Sequence, residues 1–167
     1  MQSIFGTDGI RGKFNEFITY DLAKKVGYAF GKSLKKEAPI LIGRDPRDSG
    51  HILLDAIKTG LNLSKKTIID VGICPTPAVP FLIKRFGCSG GIMISASHNP
   101  PEYNGIKIFD QNGKKLKKIY EKNLDKAIKE KIPLDINSKL IKDNIKNPSL
   151  LEFYEDSLIN SIGNENL

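Results

Sequence analysis

Short apolar runs alternate with segments of helical periodicity along most of this 167-residue chain, and that alternation limits the fold more than any other feature. Residues 19–36 place Leu22, Ala23, Val26, Phe30 and Leu34 on one helical face, with Thr19 as N-cap. Ile40 to Ile42 is a run that stops at Gly43, the pattern of a buried strand. Residues 49–62 return to helical spacing through Ile52, Leu53, Ala56, Ile57 and Leu61. Thr67 to Val71 is the next strand and Gly72 to Pro77 a loop, with Pro77 opening a short helix that reaches Phe86. GGIMIS (90–95) and IKIF (106–109) are two further strands with a polar loop between them, and Asp110 to Gly113 supplies turn residues. Such an order predicts an α/β layered sheet with helices on both faces.

The end of the chain reads differently. Residues 132–147 are polar and poorly periodic, as in an exposed connection, and 149–163 make one more amphipathic helix. The expected division is therefore a domain over 1–135, followed by a connection and helix over 136–167 that lead to a domain this chain lacks.

A net charge of +7 raises the question of nucleic acid. Much of that charge lies in KKLKKIYEKNLDKAIKEK (114–131), where lysine alternates with acids while Leu116, Ile119, Tyr120, Leu124 and Ile128 recur at helical spacing. This is the solvated face of an amphipathic helix. It brings no aromatic platform for stacking bases, so no nucleic-acid partner is expected. The N-terminus has no signal-type apolar stretch, and no run is long enough for a bilayer, so the expected setting is the cytosol with no membrane partner. Cys74 and Cys88 form no paired CxxC and suit reduced thiols better than a disulfide framework or a zinc site.

Polar residues collect beside the apolar strands, where ligands of open α/β sheets commonly bind. FGTDGIRG (5–12) combines three glycines with Arg11, whose planar fork suits phosphate; taken alone it reads first as a glycine-rich turn with a surface arginine. GRDPRDSG (43–50) sets Arg44 and Arg47 around a proline-stiffened turn, and Asp45 can pair with either arginine. SASHNPPEYNGIKIF (95–109) puts Ser97 at a strand-to-loop junction with His98 beside it and Lys107 on the returning strand. A phosphorylated Ser97 would carry about −1.5 to −2 charges and would need cations near it. A plain Ser/Asn/Pro turn has the same composition, and spacing alone does not choose between them.

SASHNPPEYNG, together with FGTDGIRG and CPTPAVPF, resembles the α-D-phosphohexomutase superfamily, in register from Phe5 to about Lys131. The pairing of FGTDGIRG with GIMISASHNP is most similar to its glucosamine-phosphate branch. The resemblance implies a three-layer α/β/α sandwich with a mixed sheet. It implies that Ser97, immediately before His-Asn-Pro, is the phosphoserine, that Lys107 is a proton-transfer candidate, and that Arg11 and His98 neighbour the same centre. Asn99, Thr7 and Arg44 are carried as substrate- or phosphate-binding candidates.

The implied reaction interconverts glucosamine 6-phosphate and glucosamine 1-phosphate through a 1,6-bisphosphate. It uses one Mg²⁺ bound through the Ser97 phosphoryl group and a hexose 1,6-bisphosphate activator. A sugar phosphate is the implied partner, with homodimerisation through this domain. The family's Asp-x-Asp-x-Asp-Arg metal loop, its sugar-recognition loop and its C-terminal phosphate loop are absent from these residues. The expectation is thus a piece of a longer enzyme, inactive alone. The rival expectations are a sister mutase acting on glucose or mannose phosphates and a non-catalytic dimerisation domain.

Overall fold

The computed structural model describes residues 3–130 and 144–162. In chain order the elements begin with β1 (Ile10–Lys13), α1 (Tyr20–Ser33), β2 (Ile40–Arg44), α2 (Ser49–Leu63), β3 (Ile68–Ile73) and α3 (Ala78–Phe86). They continue with β4 (Gly90–Ile94), β5 (Tyr103–Asp110), α4 (Lys118–Lys129), β6 (Asn144–Lys146), a 3-10 turn at Pro148–Leu150, and α5 (Leu151–Ile162).

The strands form one sheet in the order β1-β5-β4-β2-β3-β6. Neighbours from β4 to β6 are parallel, whereas β5 is antiparallel to both β4 and β1, so the sheet is mixed as expected. Connection length explains the reversal. α2 and α3 provide the long crossovers that parallel neighbours need, while residues 95–102 carry no helix and return the chain antiparallel.

Helices cover both faces. On one, Ala23, Val26 and Phe30 of α1, Leu53, Ile57 and Leu61 of α2, and Leu124 and Ile128 of α4 pack on Ile10, Ile40, Ile42, Ile92, Ile94, Ile106 and Ile108. On the other, Val79, Leu82 and Ile83 of α3 pack on Leu41, Val71, Met93 and Phe109. α5 lies over α3, with Tyr154 edge-on to Phe81 at 5.5 Å and Phe153 edge-on to Phe86 at 5.2 Å. α1 is capped as expected: the Thr19 hydroxyl oxygen accepts the Leu22 N–H at 3.1 Å, a contact worth about 1 kcal/mol. α1 and α2 approach so closely at Gly60 that a Cβ there would stand 2.0 Å from the Lys24 carbonyl oxygen.

Several expectations change. IRGK, read as part of a loop, is strand β1, because Ile10 buries its side chain and pairs with Ile106 far along the chain. The same partner extends β5 back to Tyr103, three residues before the apolar run begins. Asn144–Lys146, read as exposed connection, pairs in parallel with β3 at the sheet edge. The rest of that connection, 132–143, lies outside the described residues and includes the expected division at 135/136. The basic helix starts at Lys118, and residues 114–117 lie ahead of it. Among the described residues no helix is long and apolar enough to cross a membrane. Cys74 and Cys88 are both free and buried.

Candidate active site

β4 ends at Ile94 and delivers Ser95 and Ser97 into the loop before β5. The Ser97 N–H donates to Ser95 Oγ at 2.9 Å. Ser97 itself has φ +59°, left-handed backbone that L-residues avoid at a cost of about 1 kcal/mol or more. The loop persists in that form because Arg47, from the turn between β2 and α2, is bonded to its main chain: Nη2 donates to Ser97 O at 2.9 Å and Asn99 O at 2.7 Å. Its Nη1 donates to Pro100 O at 2.6 Å and Tyr103 O at 3.1 Å. Asp45 pairs with Arg47, Oδ2 accepting from Nε at 3.0 Å, which settles the choice between the two arginines.

An open cleft of about 730 Å³ lies at this end of the sheet, lined by Asp45, Arg47, Cys74, Thr76, Ser95, Ser97 and Asn99 among others. Burial pushes the Cys74 thiol up to about 11, so it is present as the unreactive thiol.

A cationic cluster adjoins the cleft. Strand alternation sends Ile106 and Ile108 into the core under α1 and α2, and Lys107 to the opposite face. There the Lys107 ammonium meets Asp8 Oδ2 at 2.9 Å. Lys115 pairs with the other oxygen of Asp8, and Arg11 Nη2 stands 3.7 Å from Oδ2. The hydrogen bonds from Lys115 and Lys107 hold the Asp8 carboxyl down at about 2, well below the usual 3.8. Arg11 Nη1 also donates to Asn99 Oδ1 at 2.8 Å, joining the cluster to the Ser97 loop. Gly9 (φ +91°) allows the FGTDGIRG turn to lie against β5; a Cβ there would sit 2.4 Å from Ile106 O.

The structure therefore gathers Ser97, Asn99, Arg11 and Lys107 on one face at one end of the sheet. Thr7 lines the small hollow around Asp8 and Lys107. His98 is exposed on the loop. Arg44 turns back, with Nη1 on the Asp45 carbonyl at 3.2 Å, and does not line the cleft.

Sequence reasoning misses Asp8, Arg47 as the loop's fastening, and Lys115, which reads as part of a solvated helix face. An acid lodged among glycines and followed by Arg11 is a signal for Asp8. Local pattern holds none for Lys115.

A divalent metal would find few donors here. Ser97 provides a single oxygen, Asp45 is engaged by Arg47 and Asp8 by three cations. Among the described residues no three His, Cys, Asp or Glu side chains stand together. These residues do not fit an octahedral Mg²⁺ site by themselves.

The six-stranded mixed sheet thus lies between two helical layers, with the Ser97 loop joined to a basic cluster through Asn99 and Arg11. Residues 2–134 match the family model described as phosphoglucomutase/phosphomannomutase, alpha/beta/alpha domain I, and the chain belongs to that family. It is 61% identical over 168 residues to a phosphoglucosamine mutase of Prochlorococcus marinus (strain MIT 9215), a match covering 100% of this chain and 37% of that protein. A solved structure from Thermus thermophilus, described as a phosphomannomutase, superposes with a TM-score of 0.81 at 26% identity, covering 94% of this chain and 35% of the other. A phosphoglucomutase/phosphomannomutase family protein from Burkholderia thailandensis gives a TM-score of 0.68 at 28% identity, over 88% and 32%. The chain thus spans little more than a third of the length of the relatives it matches.

Proposed function

We propose that this chain is the phosphoserine-bearing part of a phosphoglucosamine mutase, with Ser97 as the phosphoryl carrier. The observation that carries the reading is the placing of Ser97: it sits in left-handed backbone on a loop fastened by Arg47 and joined through Asn99 and Arg11 to the Asp8–Lys107–Lys115 cluster. The name of the 61%-identical relative supports the sugar. The phosphomannomutase description of the Thermus structure supports the sister reading, at 26% identity.

In the forward reaction the phosphoryl P–O bond to Ser97 breaks as a P–O bond to the free hydroxyl of glucosamine 6-phosphate forms. The hydroxyl loses its proton and Ser97 Oγ regains one. The resulting 1,6-bisphosphate turns over and returns its other phosphoryl group to Ser97. Charge develops on the phosphoryl oxygens, so catalysis rests on positioning and on cations held in place beforehand. Arg11 and Lys107 are so held, and Lys107 is the candidate for moving the proton. Mg²⁺ would meet the Ser97 phosphoryl oxygen with its remaining ligands outside the described residues, and a hexose 1,6-bisphosphate would load the serine. The reading places the protein in the cytosol, with a sugar phosphate substrate and a homodimer formed through this domain.

The test is a chimera in which residues 1–167 replace the matching segment of the Prochlorococcus relative. After incubation with a hexose 1,6-bisphosphate, peptide mass spectrometry should find phosphate on Ser97; phosphate on Ser95 would overturn the assignment. Ser97→Ala should abolish formation of glucosamine 1-phosphate in a coupled assay. The 167-residue chain alone should unfold cooperatively and show background turnover.

A further inference from the structure

Arg47 lines the cleft, and an arginine beside a phosphoryl carrier invites assignment as a phosphate ligand. Its hydrogen bonds argue otherwise. A guanidinium has five N–H donors, and here five acceptors take them. These are Asp45 Oδ2 on Nε, Pro100 O and Tyr103 O on Nη1, and Ser97 O and Asn99 O on Nη2. The side chain is only 11% exposed. Asp45 keeps it oriented, since its other carboxylate oxygen accepts the Arg47 backbone N–H at 3.2 Å.

From this geometry we infer that Arg47 is a positioning residue. Its guanidinium gathers four carbonyls of the 97–103 segment around one plane, and so holds Ser97 in the left-handed conformation that aims its hydroxyl. The inference rests on Ser97 being the carrier and adds what orients it. Four carbonyls released to water would let the loop relax toward ordinary backbone, with loss of reactive geometry rather than of substrate affinity. Lysine cannot replace the fork, because an ammonium is a point donor with three N–H groups and cannot span four carbonyls and a carboxylate.

Two measurements separate this role from its rivals. In the 167-residue chain, Arg47→Lys should speed amide hydrogen exchange of residues 96–103 about tenfold or more while β2 and β4 stay protected. Unchanged exchange in the loop would overturn the inference. In the chimera, the same substitution should lower kcat about a hundredfold, the scale of a 1 Å misplacement, with KM within about twofold. A rise in KM with kcat held would make Arg47 a substrate ligand and overturn it.

Guanidinium ion added to Arg47→Ala should restore part of kcat and leave Ser97→Ala inactive; absence of any rescue would count against a positioning role. Should Arg47→Lys fail to fold, Asp45→Asn takes its place, with faster loop exchange and a several-fold fall in kcat expected. Turnover by Ser97→Ala would defeat the phosphoryl-carrier reading, while the exchange data would still judge the clamp.

Discussion

Under α1 and α2 the sheet presents one continuous aliphatic layer to which five strands contribute isoleucines, and the helices press so closely that Gly27 and Gly60 have no room for a Cβ. Under α3 and α5 the apolar layer is smaller and stops short. Past Met93 and Phe109, toward β1, the same face carries Lys107, Asp8 and Arg11 and the mouth of the Ser97 cleft. The strands are shared, so the difference comes from alternation: one side of β5 gives Ile106 and Ile108 to the core, and the other gives Lys107 to the charged cluster. A strand anchored by its core side can hold a cation on the other side within narrow limits, as the proposed phosphoryl transfer requires.

Given that division, neighbouring substitutions on β5 should have opposite consequences. Ile108→Ala should cost about 2–5 kcal/mol of unfolding free energy, by lost burial and a cavity, as read from urea denaturation of the 167-residue chain. In a chimera still folded at the assay temperature, turnover should stay near the unsubstituted value. Lys107→Met should reverse the pattern. Turnover in the chimera should fall about a hundredfold, the usual scale for losing a proton-transfer group, with little change in the urea midpoint. Lys114→Met, in the turn ahead of α4, is the control. Equal and small effects at positions 107 and 114 would erase the distinction between the faces.

The charged cluster, unlike the aliphatic layer, also responds to pH. Asp8 has its carboxyl lowered to about 2 in the folded chain from an ordinary 3.8. A carboxyl depressed on folding stabilises above its unfolded value, and the contribution is lost as pH falls through the folded one. The stability difference between the chain and Asp8→Asn should therefore be full at neutral pH and close between about pH 4 and 2. Partial exposure of the pair limits it to about 1 kcal/mol. Ile108→Ala should show no such closure across that window, and a difference constant with pH at Asp8 would dissolve the cluster as an electrostatic unit.

Much of this was written locally. The Thr19 cap, the helical faces of α1 and α2, the strands at Ile40 and Gly90 and the alternation that turns Lys107 away from the core all follow from preferences acting within a few residues. The SASHNP string marked the Ser97 loop by resemblance, and the FGTDGIRG string marked Arg11. What required the tertiary structure was every pairing between distant segments. Ile10–Lys13 is a strand because β5 lies beside it, and Asn144–Lys146 because β3 has an open edge. Lys115 reads as one of many solvated lysines until the turn after β5 brings it to Asp8. Arg47 reads only as one of two arginines around a proline-stiffened turn until the chain, some fifty residues on, returns four carbonyls to it. Side-chain periodicity is encoded in neighbours along the chain, but hydrogen-bond partners across a sheet are chosen by strand order and register, which only the closed core decides.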